Sequence, residues 1–237
     1  MKNAVKDATE HAMEDGVEDA VETIQWKDLL LQSLEHEMGG VKIYESAVRC
    51  AVHPELQKEW RQYLEQTRRH VGILTDLCES LGFDPEEQSP GRPIVRSIGA
   101  ALVEAIDAAS RGGNPVAAQI VAAECVVLAE TKDHLDWMLI GKCADELEGD
   151  IADTLSAAYE EIEDEEDEHL YHTSGWCREL WLKSLGLTAT LPPPEEKLDV
   201  RTATEAEDAQ NAENLGSRNS KAKRRTSTIV EGRPRAS

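Results

Sequence analysis

Apolar side chains recur every seven residues along four long stretches of this chain, a spacing that builds helix seams rather than strands. In the first stretch the inward lines are Leu30, Glu37, Tyr44, Ala51 and Leu34, Val41, Val48. The second carries Leu56, Tyr63, His70, Leu77 beside Trp60, Thr67, Leu74, Leu81. The third carries Ile120, Val127, His134 beside Ala123, Glu130, Trp137. The fourth carries Leu155, Ile162, His169, Trp176 beside Tyr159, Glu166, Thr173, Leu180. Alternating β-branched runs and hairpin dipeptides are nearly absent, so the pattern predicts an all-α protein.

Breakers divide the seams. His53-Pro54 ends the first long helix, which begins near Trp26, and restarts the chain with proline at a first helical position. The second helix is predicted over Pro54–Ser80, stopping at Gly82. Asn114-Pro115 opens the third, which reaches about Leu147, and Gly149-Asp150 separates it from a fourth that runs to Leu185. Between the second and third, a proline-rich turn and a shorter apolar stretch, Ile94 to Ala109, give enough chain to cross from one end of a bundle to the other. Two short links and one long crossover predict an up-down-down-up four-helix bundle over residues 26–186. The Gly39-Gly40 pair in mid-helix predicts close approach of another element. Residues 1–25 read as an acidic helical arm, and residues 187–237 as a disordered tail that is basic at its end.

The net charge of −22 argues against a nucleic-acid-binding body. The exception is the end of the tail, where seven basic residues face a single glutamate between Gly216 and Ser237, too few for more than weak, salt-sensitive contact with DNA. Five cysteines without a CxxC spacing predict thiols in a reducing compartment. No signal-type segment and no apolar run of about 18 residues occurs, so a cytoplasmic protein with no membrane span is expected.

The seams are not wholly apolar. Counting turns from the helix ends under that topology brings Glu37, His70, Glu130, His134, Glu166 and His169 to one layer, within about a turn. Three carboxylates and three imidazoles in an apolar bundle need compensating positive charge. No inward lysine or arginine falls at that level. Two divalent metal ions would supply the charge, and mixed oxygen and nitrogen donors suit iron, manganese or zinc.

These residues resemble those of the ferritin-like di-iron carboxylate superfamily. Glu37/Tyr44 and Glu130/Trp137 match its glutamate followed seven residues later by an aromatic, and Glu166-Asp167-Glu168-His169 matches its Glu-x-x-His. The stretch LEQTRRHVGILTDLCESLG is similar to the second helix of bacterial stress-induced ferritin-like proteins related to rubrerythrins. The resemblance implies a metal pair, iron foremost, bridged by Glu37 and Glu130 with His70 and His169 as terminal ligands, and Fe(II) oxidation or reduction of O2 or peroxide in stress protection. Glu166 would join the metal shells, His134 would be a third ligand or an orienting residue, and Tyr44 a one-electron relay. The pattern departs at Thr67, where the superfamily carries a glutamate; His134 or Glu124 is the candidate replacement. That departure keeps a second reading open, a non-catalytic ferritin-like scaffold with one metal or none. A homo-oligomer, a dimer in the simplest case, is expected of a small helical bundle with an amphipathic arm.

Overall fold

The computed structural model describes the backbone of residues 2–230 and the side chains of residues 25–216. Seven helices and no strand occur among the described residues: α1 (Lys2–Cys50), α2 (Pro54–Ser80), α3 (Arg92–Arg111), α4 (Pro115–Glu146), α5 (Asp150–Ser184), α6 (Pro194–Lys197) and α7 (Ala203–Val230). The breakers act where local chemistry requires. Pro54 starts α2 with no amide hydrogen to orphan. Asn114 caps α4 by accepting from the Ala117 amide at 3.2 Å. Gly149, at φ 80°, makes the left-handed turn into α5.

Two expectations differ from the chain as folded. Nothing interrupts α1 between the predicted arm and Trp26: the backbone is helical from Lys2 onward, because alanine and glutamate are good helix formers and Gly16 alone does not outweigh them. The apolar residues of the arm before Gln25 lie outside the residues whose side chains are described. Residues after Leu187 are not structureless either. Glu195 is buried, α6 seats against α5, and the alanine- and glutamate-rich start of α7 is helical, with Ala209 buried. The basic side chains from Arg218 onward lie outside the described residues.

Helix α1 packs against α2, α3 and α4, and α5 packs against α4, α2 and α6. The buried apolar side chains form two clusters. One gathers Tyr44, Leu56, Trp60, Tyr63, Ala123, Val126 and Trp176. The other gathers Leu30, Leu34, Leu74, Leu77, Trp137, Leu155 and Ile162. Followed along the chain, α1 and α5 pass from the second cluster to the first, and α2 and α4 pass the other way.

The Gly39-Gly40 pair works as a double contact. Gly39 lies against Gly99 of α3, where a β-carbon on Gly99 would sit 3.5 Å from the Gly39 α-carbon. Gly40 faces the Thr67 methyl group of α2. Beside it, buried Glu35 of α1 accepts from Arg92 at 3.1 Å and from Arg96 at 2.7 Å, both on α3, so the crossing helix is tied to α1 by charge as well as by close packing. Among the described residues no helix is long and apolar enough to cross a membrane.

Candidate metal centre

Between the two apolar clusters lies a polar layer to which four helices contribute. Glu37 comes from α1, His70 from α2, Glu130 from α4, and Glu166 and His169 from α5; none is more than 3 % exposed. Each seam turns these side chains inward at one point of an otherwise apolar line, and burial of a carboxylate there is costly unless something partners it.

The donors converge in two overlapping sets. Ligand atoms of Glu37, His70 and Glu166 lie within 4.8 Å of one another, and so do those of Glu130, Glu166 and His169. Glu166 is common to both. Both imidazoles turn Nδ1 into the layer while Nε2 is held from behind. The His70 Nε2 lies 3.0 Å from Glu165, which also accepts from Arg69 at 2.8 Å. The His169 Nε2 lies 3.2 Å from Gln66. A histidine anchored through one nitrogen by a carboxylate or amide presents the other as a fixed ligand.

The inward atoms approach one another as ion pairs but make few aligned hydrogen bonds. Glu37 Oε2, His70 Nδ1, Glu130 Oε2 and both Glu166 carboxylate oxygens are buried without a hydrogen-bond partner. The His70 Nδ1 lies only 2.8 Å from Glu166 Oε1, yet without hydrogen-bond alignment, as expected of atoms aimed at a common centre. Electrostatics agree. Burial, then neighbouring charges that include Glu37, pushes the Glu130 and Glu166 carboxyls above their ordinary range. Burial pulls the His169 imidazole down to about 4. At His70 burial acts the same way, but Glu165, Glu166 and Glu37 override it and raise the group to about 12. The residues present fit a metal ion: buried Glu and His donors, several of them orphaned.

The aromatic residues cross over. Trp137 of α4 donates to Glu37 of α1 at 3.0 Å. Tyr44 of α1 sits beside Glu130 of α4, and burial followed by that carboxylate drives its phenol well above the ordinary value. The Tyr44 ring also meets His169 edge-on, with centroids 6.1 Å apart.

Two expected residues lie elsewhere. His134 is half-buried and pairs with Asp167 at 2.9 Å, away from both donor sets. Glu124 is exposed and accepts from Trp181 at 3.0 Å. Thr67 is buried, and its hydroxyl donates to the Tyr63 carbonyl at 2.9 Å, so this position brings no carboxylate to the layer. The residue that sequence reading missed is Asp133, one turn after Glu130. It is 4 % exposed, its Oδ1 has no partner, and burial together with Glu166, Glu37 and Glu130 pushes its carboxyl well above the ordinary value. Its signal was the Glu-x-x-Asp spacing, three residues apart on one helix face. Glu165 and Gln66 were missed as well, since their role depends on which nitrogen of each histidine faces inward.

No protein-family model, no curated protein and no solved structure matches this chain.

Proposed function

We propose that α1, α2, α4 and α5 form a ferritin-like four-helix bundle, up-down-down-up, holding two divalent metal ions, iron foremost, and handling Fe(II) with O2 or peroxide. Support for the topology comes from the order in which the helices pass the two apolar clusters, and from the crossed Tyr44–Glu130 and Trp137–Glu37 pairs, which suit antiparallel α1 and α4. The observation that carries the metal reading is the set of buried, unpartnered donor atoms on four helices facing one small volume. Glu37 and His70 would hold one ion, Glu130 and His169 the other, with Glu166 shared between them.

A pair of ferrous ions, when bound, supplies two electrons at one place, the chemistry that reduces peroxide without releasing a one-electron radical. The protein's own part is to position and to insulate. Glu165 and Gln66 fix the two imidazoles, Trp137 orients Glu37, and the apolar clusters exclude water from either end. Tyr44, buried against Glu130 and His169, stands where a one-electron relay would act.

The second reading, a non-catalytic scaffold with one metal or none, draws on Thr67, which contributes no carboxylate. Elemental analysis of protein purified without chelator separates the two. On the di-metal reading Glu166→Ala lowers the content by about two equivalents per chain and Glu130→Ala by about one. A content well under one per chain after anaerobic Fe(II) loading, unchanged in both variants, would leave the bundle a structural protein.

A further inference from the structure

Outside the layer, a second group of donors meets where α2, α5 and the segment around α6 come together. His172, one turn beyond His169 on α5, is 3 % exposed. Its Nδ1 lies 3.0 Å from the Tyr63 hydroxyl, and that hydroxyl donates to Glu59 at 2.9 Å. Glu59 and Glu168 also face this nitrogen, at 3.5 Å and 4.0 Å. The other ring nitrogen, Nε2, is buried and without a hydrogen-bond partner.

Carboxylates surround this ring. A nitrogen of His172 and carboxylate oxygens of Glu168 and Asp199 all lie within 4.8 Å of one another. Glu196 is half-buried beside them, with one oxygen buried and unpartnered, and burial followed by Glu59 pushes its carboxyl up to about 7. The basic group here is Arg201, which is half-exposed, 3.6 Å from Asp199 and 3.1 Å from Asp164. The segment that brings Glu196 and Asp199 is held in place. Glu195 receives two bonds from the Arg178 guanidinium and fills the space over Gly175, where a β-carbon would come within 2.6 Å of its carboxylate.

We propose that Glu168, His172 and Asp199, with Glu59 and Glu196 beside them, form a second divalent-cation site, separate from the inner layer. One nitrogen among carboxylate oxygens suits a borderline divalent ion such as Mn(II), Fe(II), Co(II) or Zn(II). One side chain separates it from the inner layer: the Tyr63 ring lies 4.1 Å from the His169 ring and its hydroxyl bonds His172.

The test is a Co(II) titration of the metal-free full chain, followed by calorimetry and by the imidazole 15N resonances. In a Glu130→Ala/Glu166→Ala background, which disables the inner layer, one equivalent still binds and perturbs the His172 nitrogens. Adding Glu168→Gln or Asp199→Asn there weakens that binding at least tenfold. If the double background does not fold, Asp199→Asn alone, at an exposed position, serves: one equivalent binds at least tenfold more weakly than in wild type. Identical binding isotherms in wild type and Asp199→Asn, or binding that leaves the His172 resonances unmoved, overturns the outer site. A wild-type chain that binds a single ion, weakened at least tenfold in Asp199→Asn, overturns the inner layer instead.

Discussion

At the scale of single residues the layer is a compromise between stability and binding. Asp133 illustrates it: a buried carboxyl with an orphaned oxygen gains nothing for the metal-free fold. Asp133→Asn is therefore expected to leave the metal-free protein within about 1 kcal/mol of wild type. The same substitution should shrink the rise in melting temperature on adding Mn(II), with affinity down about 10- to 100-fold. Thermal melts with and without the ion check both halves. An unchanged metal-induced shift would place Asp133 outside the centre. The seven-residue pattern pointed to His134 and passed over Asp133. An α-helix drifts about 20° per heptad from a strict seven-residue line, and the line that starts at buried Ile120 is half-buried at Val127 and at His134. Asp133, adjacent to Lys132, carried the appearance of a surface residue, since aspartate is seldom fully buried.

At the scale of elements, the contact of α3 with α1 has an electrostatic part that can be titrated. The Glu35 carboxyl is held below its ordinary value of 4.5 by hydrogen bonds from Arg96, then by the charges of Arg96 and Arg92, against the opposing effect of burial. A depressed carboxyl contributes stability that is present above its unfolded value and lost as pH falls through the folded one. Glu35→Gln, which leaves buried Arg92 without its charge partner, should cost about 3 kcal/mol near neutrality. The gap in melting temperature between that variant and wild type should close progressively below about pH 4.5. A gap independent of pH would show that Glu35 acts by packing alone. Element boundaries of this kind were legible because proline, glycine and asparagine act locally: Pro54, Asn114 and Gly149 stand where the helices change. The helices after Leu187 were not legible, since α6 is anchored by Glu195 reaching Arg178 on another helix, a contact with no periodic trace in its own segment.

At the scale of the whole molecule, a net charge of −22 surrounds a centre whose buried donors could hold cations. The field should draw divalent ions inward, so the rate of Mn(II) association is expected to fall about tenfold between roughly 20 mM and 500 mM NaCl. A salt-independent rate would leave steering without a part. Bound metal should stabilise the fold by about 4 kcal/mol at a free concentration a thousand times Kd, and chelation should reverse the gain. The crossed aromatic pairs bear on how such a chain finds one structure at all. Seams of interchangeable leucine, valine and alanine tolerate sliding: a helix moved along its neighbour by one turn, about 5.4 Å, meets similar side chains again. Trp137 on Glu37 and Tyr44 against Glu130 do not survive such a step, because a slip of α1 past α4 separates both pairs together and takes the indole donor from buried Glu37. The pairs thus act as a parity check on helix register, so that aligning α1 with α4 and assembling the layer of buried donors are the same event.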